Sequence, residues 1–136
     1  MSATATVSDP NRKHLEAART LIAKGDLKQA ALTLNKAQKQ LPNDPRVFML
    51  AGLMAEKSGN INGAFEALRR SVAMAPDWGP GLLELALLLA RQNQFKEAVE
   101  TAEKVAALEP RNLQVLAGVV DIAHRAGHTE MAVRHL

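Results

Sequence analysis

The chain has 136 residues, one domain's worth, with 47% apolar and only 3% aromatic residues, so its core must be built from Leu, Ala, Val and Met. It contains no cysteine, which excludes disulfides, thiolate zinc sites and cysteine nucleophiles together and fits a reducing, cytoplasmic location. The formal charge of +3 is concentrated near the start, where residues 11–44 carry seven Lys/Arg against three Asp/Glu, a balance that reads as a solvated helix face able to attract acidic groups.

Residues 1–10 are small and polar without periodicity and are expected to be a disordered tail. They have neither the basic start nor the apolar run of a secretory signal. Pro10 suits the opening of a helix, where its missing N–H costs nothing. From Asn11 onward the pattern is helical. His14, Ala17, Ala18 and Leu21 fall at i, i+3, i+4 and i+7, one stripe of a helix. Gly25 closes that helix, and Asp26 caps the next, with Gln29 three residues on. The second helix should run from about Leu27 to Gln40 and bury Leu27, Ala30, Ala31, Leu34 and Ala37. Pro42 stops it. Asp44 then reads as an N-cap with Pro45 as the first helical residue.

The same order returns. Phe48, Ala51, Gly52 and Ala55 make the next stripe, and Gly59 the turn. A second helix carries Ile61, Ala64, Phe65, Leu68 and Val72 before Pro76. Leu82, Leu85, Ala86 and Leu89 follow, with a turn at Asn93 and a helix carrying Phe95, Ala98, Val99, Ala102 and Val105 before Pro110. The last stripe is Leu116, Val119, Val120 and Ala123, with a turn at Gly127 and then Met131, Ala132 and Leu136. The longest apolar run, Leu85–Ala90, is far short of the roughly 18 residues a membrane span requires.

Three columns recur in phase at a spacing of 34 residues: Gly25, Gly59, Asn93 and Gly127; Ala30, Ala64, Ala98 and Ala132; and Pro42, Pro76 and Pro110. A fixed period in this range marks stacked supersecondary units. Each unit is helix–turn–helix with short connections, so neighbouring helices run antiparallel. Asn93 stands in the turn-glycine column because Asn tolerates the left-handed conformation better than other side chains. The alanine column must be small because helices come closest there.

Phe48-x2-Ala51-Gly52-x2-Ala55, then Ala64-x3-Leu68, then Pro76 resembles the tetratricopeptide repeat (TPR). So do Leu82-x2-Leu85-Ala86-x2-Leu89, Ala98-x3-Ala102 and Pro110. The resemblance covers residues 11–136, with repeats at 11–44, 45–78 and 79–112 and an incomplete fourth at 113–136. It implies an all-α solenoid, a right-handed superhelix of antiparallel helix pairs. The first helix of each repeat would line a concave groove, and the groove would take a peptide or helix of a partner protein.

On that reading, the groove side of the first helices carries Arg12, Leu15 and Arg19, then Arg46, Met49, Leu50, Leu53 and Lys57. It continues with Leu83, Glu84, Leu87 and Arg91, and ends with Asp121, His124 and Arg125. The middle of this surface is apolar, and leucines off a core stripe commonly mark a binding patch. The expected ligand is an apolar or amphipathic peptide segment, with Arg19, Arg46 and Arg91 placed for acidic groups. A family clamp for acidic chaperone tails would fall on Leu15, Arg19, Leu50, Pro80 and Glu84. Of these only Arg19 has suitable chemistry, so no such clamp is expected.

No catalytic, metal or cofactor site is expected. His124 and His128 are four apart, a metal-compatible spacing on a continuous helix, but Gly127 interrupts it. No phosphate loop, nucleophile motif or dinucleotide fingerprint occurs. Nucleic-acid binding is not expected, because a single-strand groove needs stacking aromatics and Phe48, Phe65 and Phe95 are assigned to the core or turns. Trp78 is expected to cover a core edge between repeats. Two further readings stay open. The repeats could be the recognition region of a longer enzyme, since bacterial TPR segments resembling this one are often fused to glycosyltransferase or sulfotransferase domains. Alternatively, the uncapped fourth repeat could dock on a second copy of the chain.

Overall fold

The computed structural model describes residues 9–127, and these form seven α-helices with no strand among them. They are α1 (Arg12–Lys24), α2 (Leu27–Gln40), α3 (Pro45–Lys57), α4 (Ile61–Met74), α5 (Gly79–Arg91), α6 (Phe95–Leu108) and α7 (Leu113–Arg125). Lengths alternate between 13 and 14 residues. The period seen in the sequence is therefore a period of elements. The second half of the fourth repeat, including His128, Met131, Ala132 and Leu136, lies outside the described residues, as do residues 1–8.

Local chemistry sets the helix ends. The Asp26 carboxylate accepts from the Gln29 N–H at 3.3 Å, and Asp44 accepts from the Arg46 N–H at 3.0 Å with Pro45 at the first helical position. Asn112 caps α7, accepting from Gln114 and Val115. These side chains satisfy donors that the first helical turn leaves open. Asn93 takes φ 62°, the one non-glycine residue with positive φ among the described residues, in register with Gly25 at φ 82°.

The chain divides into two compact units, 1–67 and 68–136, with the division falling inside α4. In the first unit α1, α2 and α3 pack mutually. Its core includes Leu15, Ala18, Ile22, Ala30, Leu34, Ala37, Val47, Met49 and Leu50. In the second, α5, α6 and α7 pack mutually, around Leu82, Leu85, Ala86, Leu88, Leu89, Ala98, Ala102, Val105, Val119 and Ile122. The alanines of the repeating column, Ala30, Ala64 and Ala98, have no exposed surface, as a close helix approach requires. Trp78 sits half-buried at the N-cap of α5 with its ring against Gly81, covering a core edge as expected.

The buried stripe of α1 differs from the expected one. Leu15, Ala18 and Ile22 point inward, while Ala17 is exposed and His14 and Leu21 are only half-buried. The larger apolar side chains take the interior, rotating the stripe by one residue. The same shift occurs in α7, where Val115, Val119, Ile122 and Ala123 are buried and Leu116 and Val120 are half-buried.

Candidate functional site

The residues expected to line a groove fall in both units. In the first, Arg12 is exposed and pairs with Glu16 one turn on, at 3.3 Å. Leu15 is only 8% exposed, Met49 3% and Leu50 1%. These three belong to the packed interior, contrary to their expected place on an open apolar surface. For Leu15 the cause is the rotated stripe of α1. For Met49 and Leu50 it is that α3 packs on both α1 and α2, so more than one of its faces is covered.

Arg46 is likewise committed within the protein. Its guanidinium receives two carboxylates: Asp44 at 2.9 and 2.8 Å, and Asp9 from the segment ahead of α1, including one contact at 2.9 Å. Fully buried Asn11 donates to Asp44 Oδ2 at 2.9 Å, the oxygen that also accepts from Arg46 Nη2. Burial raises the Asp44 pKa, but hydrogen bonds from Arg46 and Asn11 lower it more, so the group ends below its usual range. The hydrogen bond from Arg46 also lowers Asp9, and both carboxylates raise Arg46. Asp9 thus makes a defined ion pair although it falls within the stretch expected to be a tail. Asp9-Pro10 has the form of the Asp44-Pro45 cap, and Asp9 likewise accepts from the N–H two residues on, at Asn11, but that form does not report its pairing with Arg46.

The first unit has a cleft of about 420 Å³ at Leu41, Pro42, Asn43, Asp44 and Arg46, and another of about 380 Å³ beside the C-terminal halves of α1 and α3. Ala23 and Leu53 supply the accessible apolar surface of the second, over the buried Ile22 and Leu50, and Arg19, Glu56 and Lys57 its polar one. Leu53 is half-buried, while Arg19 and Lys57 are exposed. Ala23 had no place in the expected set. It is reached because the last turn of α1 faces α3.

In the second unit, Leu83, Glu84 and Leu87 are half-buried on α5, and Arg91 is exposed. The Leu83 methyls lean on α7 at Gly118, where one would stand 2.9 Å from an added Cβ. On α7, Asp121 and Arg125 form an i,i+4 ion pair at 3.1 Å, and His124 is exposed. Exposed pairs of this kind contribute about 0.3–0.5 kcal/mol. Among the described residues there is no cluster of three or more His, Asp or Glu able to hold a metal, and no helix is long and apolar enough to cross a membrane.

Helix pairs at this period, with buried alanines and left-handed turns in register, define a helical repeat protein. Family models for the tetratricopeptide repeat match residues 15–77 and 80–112, and the chain belongs to that family. It is 26% identical over 123 residues to the Protein CTR9 homolog of Arabidopsis thaliana, covering 86% of this chain. The chain spans only 10–11% of the length of the curated relatives it matches. Among solved structures it is similar to MamA, with TM-score 0.71 and 17% identity, over 96% of this chain and 77% of that one. It is also similar to a mutant O-GlcNAc transferase from Thermobaculum terrenum, with TM-score 0.68 and 19% identity, over 87% of this chain and 24% of that one. At such identities the likeness is one of fold, and the fold is an all-α TPR solenoid.

Proposed function

We propose that this segment is a non-catalytic scaffold that binds a peptide or helix of a partner protein on the faces of its first helices. The observation that carries this reading is the set of half-exposed leucines, Leu53 on α3 and Leu83 and Leu87 on α5. They stand off the buried stripes of helices that otherwise bury their leucines. Within each unit they lie among charged groups: Arg19 and Lys57 in the first, Glu84 and Arg91 in the second. Apolar surface bordered by charge suits an amphipathic segment, whose apolar face gives affinity and whose polar face gives orientation.

The test is crosslinking with mass spectrometry on the full chain in its native extract, followed by capture with Leu53→Glu and Leu87→Glu. The expected result is that a partner peptide crosslinks near these residues and that at least one substitution abolishes its capture. Circular dichroism melting should stay within a few degrees of the parent, because both side chains are only partly buried. Undiminished capture by both variants would rule the reading out.

A further inference from the structure

We propose that the outward face of α2 docks on the surface of an anionic bilayer, with Lys28, Lys36 and Lys39 meeting lipid headgroups around Leu32. This surface lies on a second helix, away from the faces of the first helices, and a different observation carries it.

Lys28, Leu32, Lys36 and Lys39 are four, four and three residues apart, so they form one stripe along α2. The stripe lies opposite the buried one of Ala30, Leu34 and Ala37. All four side chains are exposed, Leu32 by 50%. The 14 residues of α2 include no Asp or Glu. None of the three lysines forms an ion pair among the described residues. The surrounding sequence adds to this field, since residues 11–44 carry a net charge of +4.

The other second helices differ at these positions. One period on, α4 has Asn62, Glu66, Arg70 and Ala73, and two periods on, α6 has Lys96, Glu100, Lys104 and Ala107. These residues too are exposed. In both helices a glutamate stands one turn before a cation, an order in which the charges offset each other. In α2 that glutamate is replaced by Leu32, and the final alanine by Lys39. A single exposed leucine is ordinary on a protein surface. This one displaces the carboxylate that would have neutralised its neighbours, leaving three uncompensated cations around an apolar side chain.

A bilayer matches that order, with charge at its surface and an apolar layer just beneath. Each lysine near an anionic membrane contributes about a fivefold preference, so three together give about a hundredfold. A nucleic acid also offers phosphates, but it has no use for Leu32. The stripe in turn lacks the aromatic rings that stack bases and the arginine forks that grip phosphates in pairs.

The probe is co-sedimentation of the full chain with vesicles of phosphatidylcholine, alone or mixed equally with phosphatidylglycerol. The chain should bind the mixed vesicles, leave the neutral ones, and dissociate as salt is added. Lys28→Glu/Lys36→Glu should weaken binding by about twentyfold or more, and Leu32→Ser should weaken it severalfold. Lys96→Glu/Lys104→Glu makes the same change of charge in the same two columns of the third repeat, and should keep binding within about threefold. All substituted positions are exposed, and an unchanged thermal melt verifies folding. Absence of preference for the anionic vesicles would overturn the proposal. So would equal losses in the two double variants, which would show an effect of net charge alone, or undiminished binding by Leu32→Ser. Binding of a labelled DNA duplex through the same lysines, without vesicle binding, would assign the face to nucleic acid instead. Each of these results leaves the peptide-binding reading standing, since capture of a partner peptide tests that separately.

Discussion

Asn93 and the Arg46 cluster show how differently single residues disclose themselves. The turn position of Asn93 was legible because three other members of its column are glycine, and the left-handed backbone is what those residue types share. Asn93→Gly should change stability by less than about 0.5 kcal/mol, whereas Asn93→Val should cost about 1–2 kcal/mol, read from urea denaturation midpoints. The role of Arg46 was not legible. Its spacing placed it on an expected binding face, but its partners come from residue 9 and from the cap of its own helix, and no periodicity reports a pairing between segments so far apart.

The Arg46 cluster also sets a pH dependence. Asp9 and Asp44 have folded pKa values below the usual 3.8. Their contribution is therefore complete above the unfolded value and is lost as pH falls through the depressed folded ones. Thermal melts between pH 7 and pH 5 should be flat with respect to these groups. Below about pH 4 stability should drop, and Arg46→Met should make that drop shallower. An equal acid slope in the variant would show that the cluster contributes nothing.

Individual helices were read more securely than the faces they bury. The bounds of α2, Leu27–Gln40, are those read from capping and stop residues. The inward face of α1 was misjudged by one residue, because His14, Ala17, Ala18 and Leu21 satisfy the same spacing rule as Leu15, Ala18 and Ile22. Only packing volume decides between them, and volume depends on neighbours absent from a local pattern. That choice carries over to the site, moving Leu15 from surface to core. Leu50→Glu should accordingly unfold the protein, by placing an unpaired carboxylate in the interior, while Leu53→Glu three residues on should not. At the start of α5, a Cβ on Gly81 would lie 3.0 Å from the Trp78 ring and 3.2 Å from Ser71 Oγ. Gly81→Val should therefore cost about 1–3 kcal/mol by overpacking, measured by equilibrium unfolding.

At the scale of the whole chain, the fold was almost entirely legible, since a repeat states its architecture several times over. The alanine, glycine and proline columns are each a separate record of one period. What a repeat cannot state is which of its surfaces is used, because the proposed binding face changes along the repeats: the column that holds Leu53 and Leu87 has Arg19 in the first repeat and Asp121 in the fourth. In repeat arrays stability is close to a sum of each repeat and its nearest neighbours. Leu50→Ala, expected to cost about 2–5 kcal/mol, should thus accelerate amide hydrogen exchange in α1–α3 more than in α6 and α7. Equal acceleration throughout would show that the molecule opens as one cooperative body.

The pairing of Asp9 with Arg46 bears on where the first repeat should be said to start. Periodicity draws that edge at Asn11. A fragment trimmed there would keep every residue of the 34-residue pattern yet discard the carboxylate that neutralises one side of Arg46. It would leave behind a guanidinium newly able to recruit anions from solution. Binding experiments on such a fragment would then measure an attraction created by the trimming, and the intact chain is the proper reference.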